Sequence, residues 1–234
     1  MKAGIMQPYL FPYIGYFQLM NAVDEFVLYD NIEYTKKGWI NRNRILVNGK
    51  DTYIGLPLKK DSDFLTIVER NLAENWPAER KKILNKISSS YKKAPQFGKV
   101  YPVIESAFMF EDFNLFNFIY HSLELLKEYL EIPCALIVSS SIPIDHSLRA
   151  EKKVIAICRQ RNASTYINAI GGLSLYDKEN FKKEEIDLQF IKMDAFTYEQ
   201  FGNNFISGMS IIDVMMFNDK AIIKQFLNSG YTLI

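Results

Sequence analysis

The strongest constraint on this chain lies in its first thirty residues. Lys2 to Met6 is a short apolar run closed by Gln7-Pro8, and a buried strand ends there because proline has no N–H to give to a ladder. Gly15 to Val23 then carries apolar residues at helical spacing, and Glu25 to Tyr29 is β-branched and aromatic enough for a second strand. Two strands joined through a helix within about 28 residues is close to the shortest parallel crossover. A parallel sheet follows, and strands and helices should alternate along the rest of the chain.

They do so with two interruptions. Ile40 to Pro57 alternates Arg42, Arg44 and Leu46 with Asn43, Ile45 and Val47, and Asn48-Gly49 is a strong two-residue hairpin signal, which places an antiparallel hairpin at about 38–58. From Phe64 to Leu130 the pattern turns helical, with segments near 77–93, 100–110 and 113–130 parted by Ala94-Pro95 and Glu111-Asp112. Alternation then resumes. Cys134 to Ser139 suits a doubly covered strand, Leu148 to Gln160 an amphipathic helix, Ser164 to Ile167 and Asp187 to Lys192 further strands, and Ile211 to Phe217 and Ala221 to Leu227 closing helices. The expectation is one α/β domain over residues 1–234, an open, mostly parallel Rossmann-like sheet carrying a β-hairpin and a helical insertion at about 64–130.

Charge and composition narrow the partners. With 28 Lys plus Arg against 27 Asp plus Glu the formal net charge is +1, so no global field draws in nucleic acid or an anionic membrane, and anion binding must be local. No stretch of about 18 apolar residues occurs; the most apolar helix, Phe113 to Leu130, is broken by Asn114, Asn117, His121, Glu124 and Lys127. A membrane span is not expected. The start, Met-Lys-Ala-Gly-Ile-Met-Gln-Pro, lacks the roughly 7–15 apolar residues of a signal-peptide core, which points to a cytoplasmic protein. Cys134 and Cys158 stand alone in apolar company and read as core thiols in a reducing compartment.

Ligands of open parallel sheets bind beyond the carboxyl ends of the strands, so the loops after Met6, Tyr29, Ser139 and Ile167 should converge on one crevice. The first loop opens with Gln7, is stiffened by two prolines and offers Tyr9, Tyr13 and Tyr16 with Gly15 between them. It forms either a binding platform or a cover for the sheet edge. The second leads through Asp30 into Lys36, Lys37, Trp39, Asn41, Arg42, Asn43 and Arg44, four cations within nine residues. The strand period sets Arg42 and Arg44 on one face and Asn41 and Asn43 on the other. That arrangement suits a phosphate or carboxylate with Trp39 stacking on a base or sugar, and equally a hairpin edge guarded by charge. The third loop holds Asp145, His146, Ser147 and Arg149; Asp145 or Ser147 would cap the next helix, and a carboxylate beside His146 would suit it to proton transfer. In the fourth, Asn168 and the Gly171-Gly172 pair either cradle an anion on backbone amides or simply turn the chain.

No G-x-G-x-x-G, P-loop, G-x-S-x-G or metal-ligand cluster is present, which disfavours ordinary NAD enzymes, P-loop NTPases, serine hydrolases and zinc enzymes. What is present is a pattern: Gln7-Pro-Tyr-Leu-Phe-Pro-Tyr-Ile-Gly-Tyr-Phe-Gln-Leu, then Asp24 to Asp30, Lys37-Gly-Trp-Ile-Asn-Arg-Asn-Arg44, Tyr166 to Gly172 and Phe205 to Asp213. Together these resemble the WbqC-like protein family of bacteria. The resemblance implies a role in O-antigen and other surface-polysaccharide biosynthesis. It points to transfer of an acyl or aminoacyl group to the amine of a nucleotide-linked amino-sugar. His146, Asp30 and Asp145 are then the candidate bases, and the donor would be a coenzyme A or carrier-protein thioester, with an acyl carrier protein as partner.

A more distant likeness connects Tyr13-Ile-Gly-Tyr16, Ser139-Ser-Ser and Ser147-Leu-Arg149 to nucleotidyltransferases that carry His-x-Gly-His. Here both histidines are tyrosines, which stay neutral at pH 7, so the fold is expected to be kept and the reaction changed. A nucleotidyltransferase or other adenylate-forming enzyme using ATP and Mg²⁺ is the alternative under that likeness. A third reading is a non-catalytic binding protein of a polysaccharide assembly complex. Phe108, Phe110, Phe113, Phe116 and Phe118 would then serve either a homo-oligomer interface or the core.

Overall fold

The structure, a computed structural model, describes residues 1–202 and 204–234. Its centre is a six-stranded sheet of β1 (Lys2–Met6), β2 (Glu25–Leu28), β5 (Ala135–Val138), β6 (Thr165–Ala169), β7 (Asp187–Met193) and β8 (Tyr231–Leu233), in the spatial order β5-β2-β1-β6-β7-β8. The first five run parallel, with Met6 opposite Leu28 and Gly4 opposite Ile167; only β8 is antiparallel, pairing Met193 with Tyr231. The chain lays down β1, β2 and β5 toward one edge, then returns to place β6 on the other flank of β1. The strand order therefore reverses between β1 and β6, the position where doubly wound sheets open a crevice.

Strand alternation sorts the core into two layers. Phe26, Leu28, Ile167 and Ile191 face helices α1 (Ile14–Asn21), α7 (Ile211–Phe217) and α8 (Lys220–Ser229) together with the inserted elements. Ala3, Ile5, Val27, Tyr166, Leu188 and Phe190 face the opposite layer, where α5 (Ala150–Gln160) contributes Val154, Ile157 and Cys158 and α6 (Lys178–Lys183) contributes Phe181. Cys134 and Cys158 are both buried, and loss of hydration raises their thiol pKa values to about 11 and about 12. Among the described residues no helix is long and apolar enough to cross a membrane.

The hairpin forms as its turn residues require. β3 (Arg42–Val47) and β4 (Lys50–Gly55) pair through Asn48 at φ 51° and Gly49 at φ 74°, the left-handed pair that matches strand twist in a two-residue turn. The helical insert begins later than the sequence pattern suggests. Between β4 and α2 (Trp76–Tyr91) the chain is irregular apart from a 3-10 turn at Ile67–Glu69, pinned by bridges from Leu58 to Leu72 and Glu33 to Thr66, and only then do α2, α3 (Phe97–Phe108) and α4 (Leu115–Tyr129) follow. Phe108, Phe116 and Phe118 are core residues: Phe108 stacks on Phe11 at 5.1 Å, and Phe118 meets the edge of Trp76 at 5.3 Å. Phe110 stacks on His121 at 4.2 Å, which leaves Phe113 as the exposed member of the run. The insert is thus packed directly onto the first loop.

Candidate functional site

All four loops anticipated as ligand-bearing lie at the carboxyl ends of parallel strands, and each is held by specific hydrogen bonds. The first is anchored from beneath. Asn43 turns inward from β3 and donates to the carbonyls of Leu10 (3.0 Å) and Phe11 (2.8 Å), while the Ser210 hydroxyl donates to Phe11 (2.7 Å) and the Ile211 amide to Pro12 (2.9 Å). These bonds hold Phe11 at φ 42°, a conformation a phenylalanine adopts only when its surroundings over-determine it.

The three tyrosines of that loop divide. Tyr16 is fully in the core, with its hydroxyl spent on the Gln7 carbonyl (3.0 Å), so the structure places it inside the core and not on a platform. Tyr9, bonded to the Gln7 side chain (3.3 Å), and Tyr13 reach the surface. Burial raises both phenol pKa values, so both hydroxyls keep their protons and remain neutral donors. Gly15 makes room for this, since a Cβ there would sit 2.3 Å from the Tyr13 ring.

On the hairpin, Arg42 and Arg44 share a face as the period of two predicts. Arg42 lies over Tyr53 (4.9 Å), Tyr53 stacks on Trp39 (6.2 Å) and Arg44 lies over Trp39 (5.6 Å), giving a ladder with a cation at each end. The cluster that reads as an anion grip is largely satisfied from within. Arg44 pairs with Asp51 (2.9 Å) and donates to the Gly208 carbonyl (3.0 Å), Lys36 pairs with Asp63 (2.6 Å), and Arg42 donates to the carbonyls of Gly38 (3.0 Å) and Lys37 (2.5 Å). Of the four cations, Lys37 and Arg42 have no carboxylate partner among the described residues. Asn41 is structural, accepting from Tyr34 (2.8 Å) and donating to Leu56 (2.9 Å).

Two recesses open along this edge. One is aromatic: a pocket of about 230 Å³ between Tyr9, Tyr13, Trp39 and Arg44, continuing past Tyr13 and Gly208 into a second of about 330 Å³ walled by Phe196, Tyr198, Phe205 and Met209. Its far wall is tied down by a buried carboxylate. Asp213 accepts from Tyr91 (2.6 Å), Tyr198 (2.6 Å) and Gln200 (2.7 Å), and Tyr91 in turn accepts from the Leu46 amide (2.7 Å). Desolvation raises the Asp213 pKa against the lowering effect of its three donors.

The other recess, about 480 Å³, is polar and lies where β2 and β5 end and α5 begins. Lys153, in the first turns of α5, is 5% exposed; its ammonium donates to Asn31 Oδ1 (3.2 Å) and lies over the Tyr29 ring (5.0 Å). The Ser139 hydroxyl donates to the same Asn31 oxygen (3.1 Å), and Asn31 Nδ2 meets His146 Nδ1 at 2.9 Å. Burial lowers the Lys153 pKa, opposed by the charge of Asp30 and aided by Arg149. The backbone N–H groups that open α5 have no side-chain cap.

The sequence-predicted residues fall unevenly around this recess. His146 and Arg149 line it. Asp30 is wholly buried, with one oxygen taking the Ser140 amide (2.8 Å) and the other without a partner among the described residues, so it is a buried neighbour of Lys153 and not a surface base. Asp145 is exposed and closes its own turn on the Ser147 amide (2.9 Å) and hydroxyl (2.7 Å), which hold its carboxyl below the usual range and make it a weak base. Asn168 points back at its own turn, bonding the Ala169 amide (2.8 Å) and lying where a Cβ on Gly172 would intrude at 2.3 Å, while Gly171 faces open space. The fourth loop is joined to α5 by Glu151, which accepts from the Asp177 amide (2.7 Å) and Asn180 (2.8 Å).

Sequence reasoning missed Asn31 and Lys153. A signal for Lys153 exists: it stands beside Val154 and one turn before Ile157 on the buried stripe of α5, an unusual place for a lysine.

No solved structure matches this chain. The chain is 27% identical over 230 residues to Uncharacterized protein Rv1507c of Mycobacterium tuberculosis, a match that covers 97% of each chain. The profile of the WbqC-like protein family matches residues 7–225, from the first loop to the last helix and so across both recesses. The chain belongs to the WbqC-like protein family.

Proposed function

We propose that this protein is a transferase of bacterial surface-polysaccharide biosynthesis. It forms an amide by passing an acyl or aminoacyl group from a thioester to the amine of a nucleotide-linked amino-sugar. The observation that carries the reading is the polar recess: a buried lysine, an arginine and a histidine gather beside uncapped helix N–H groups at the carboxyl edge of parallel strands. Positive charge and N–H groups without a side-chain cap at that position suit a phosphate or a developing oxyanion. The aromatic recess supplies, on the same edge, flat neutral surfaces for a base, a sugar or an acyl group. The diphosphate grip is thereby assigned to Lys153 and Arg149, with Lys37 and Arg42 as the hairpin cations still without a carboxylate.

Association of the isolated protein with a nucleotide-linked amino-sugar tests the reading. A ligand at 100 times its dissociation constant stabilises the fold by about 2.7 kcal/mol, and for a chain of this size each kcal/mol moves the midpoint by about 2–4 °C. The expected result is a rise of that order, abolished in Lys153→Met, followed by amide product when an acyl thioester is added. A shift with ATP alone would favour adenylate formation, a reading weakened by the burial of Tyr16. No shift with any nucleotide, together with tight association with a partner protein, would replace the transferase reading with a binding role.

A further inference from the structure

We propose that Lys153 and Asn31 are positioning residues that hold His146 in a single neutral tautomer with its proton on Nε2. The ring then meets a ligand in the polar recess as a hydrogen-bond donor and not as a proton acceptor. The argument starts from the lysine. An ammonium only donates, so the Asn31 atom 3.2 Å from Lys153 Nζ is the amide oxygen, and the Ser139 hydroxyl at 3.1 Å converges on the same atom. With that end fixed as the acceptor, the other end is the NH₂ group, and it lies 2.9 Å from His146 Nδ1. An amide NH₂ also only donates. Nδ1 is therefore the ring nitrogen with the bare lone pair, and in a neutral imidazole the proton resides on Nε2.

The opposite orientation of Asn31 would turn its NH₂ toward the ammonium and leave two donors facing each other at a part-buried contact. Lys153 has little room to relieve that conflict, because it is 5% exposed and seated over Tyr29. The order of command runs from helix to lysine to amide to imidazole. Of Lys153, Ser139, Asn31 and His146 only the lysine is charged in this state, so the register is set by donor and acceptor geometry.

A histidine held this way is suited to an oxygen that carries or gains negative charge, such as a carbonyl under attack or a phosphate, and unsuited to collecting the proton of an attacking amine. The tautomer stands on the hydrogen bonds alone, while its use on such an oxygen rests on the transferase reading above. His146, one of the candidate bases, becomes an electrophilic donor. Removal of the amine proton then falls to another acceptor.

The chain has two histidines, His121 and His146, so two-bond ¹H–¹⁵N correlation on uniformly labelled full-length protein, with His121→Gln for assignment, reads the tautomer directly. It is recorded at about pH 8.5, well above the ordinary imidazole pKa of about 6.5. The expected spectrum shows His146 with a protonated Nε2 and an unprotonated Nδ1. Asn31→Asp replaces the donor with an acceptor and should interchange the two nitrogen shifts. Lys153→Met, which frees the amide to turn, should give a mixture, and Lys153→Arg should restore the original pattern. Should Asn31→Asp fail to fold, as judged by far-UV circular dichroism, the Lys153 pair carries the test. A wild-type spectrum with the proton on Nδ1 overturns the proposal, as does a spectrum unchanged by Lys153→Met. Adding a UDP-linked amino-sugar separates the two claims: no binding with the Nε2 tautomer intact counts against the transferase reading alone, and binding with the Nδ1 tautomer counts against the positioning proposal alone.

Discussion

The carboxylate cage behind the aromatic recess makes a graded prediction. Tyr91 and Tyr198 both donate to Asp213 at 2.6 Å, so Tyr→Phe at either position removes one hydrogen bond to a charged acceptor, each contributing about 1.5–3 kcal/mol. The two are not equivalent. Tyr91 also accepts from the Leu46 amide of β3 at 2.7 Å, and its loss leaves a buried N–H unpaired, which costs about 1–3 kcal/mol more. Tyr198→Phe should therefore cost about 2 kcal/mol and Tyr91→Phe about 4 kcal/mol, or roughly 4–8 °C and 8–16 °C in midpoint for a chain of this size. Urea unfolding followed by circular dichroism at pH 7 measures both, with an unchanged slope as the check that only stability has moved. Equal costs, or a larger cost for Tyr198→Phe, would refute the double role of Tyr91. The same cage fixes a pH sign. Because burial raises the Asp213 pKa above its unfolded value, the folded state holds this proton more tightly, and the contribution to stability is complete below the unfolded pKa and lost as pH rises through the folded one. Wild type should accordingly gain stability relative to Asp213→Asn as pH is lowered across that window, and a gain in the other direction would contradict the desolvation argument.

Three further outcomes are expected. Asn43→Ala removes the donor shared by the Leu10 and Phe11 carbonyls and should destabilise by about 2–4 kcal/mol while loosening the first loop, seen as faster amide exchange there; protection equal to wild type would show that Ser210 alone suffices. Gly49→Ala places a Cβ at φ 74° in the hairpin turn and should cost about 1–2 kcal/mol, and a neutral result in thermal melts would argue that the turn is not of the left-handed two-residue kind. Neither Cys134 nor Cys158 should react with a disulfide reagent at pH 8 in the native protein, since both are buried with thiol pKa values raised to about 11 and about 12, and both should react in denaturant. Rapid native labelling of either would contradict its placement in the core.

The parts of the fold written in short-range pattern were legible. Strand β1, helix α1 and strand β2 followed from periodicity and Pro8, and the hairpin from Asn48-Gly49, because backbone preference at those positions is decided locally. Strand order was not legible, since nothing in residues 165–169 says which flank of β1 they will occupy. β8 and α6 were missed for a simpler reason: three and six residues are too few to carry a period. The site divides along the same line. Arg42 and Arg44 sharing a face is a consequence of strand geometry and was foreseen; that Asp51 and Asp63 neutralise two of the cations is a tertiary fact and was not. Asn31 and Lys153 acquire meaning only from each other, across 122 positions of sequence.

The anchoring of the first loop also sets a timetable for biosynthesis. Phe11 and Pro12 receive hydrogen bonds from Ser210 and Ile211, nearly two hundred residues downstream, and the Ser210 amide itself donates to Arg44 in the hairpin. A ribosome adding about 5–20 residues each second leaves the first loop and the hairpin waiting for these partners until Ser210 and Ile211 have emerged. Strands β1 and β2 can pair early, but the wall of the aromatic recess that holds Gly208, Met209 and Val214 forms only after that point. The nascent protein must therefore spend that interval with Tyr13 and its apolar neighbours uncovered, and a truncation before residue 210 would leave the first loop without its Ser210 and Ile211 anchors.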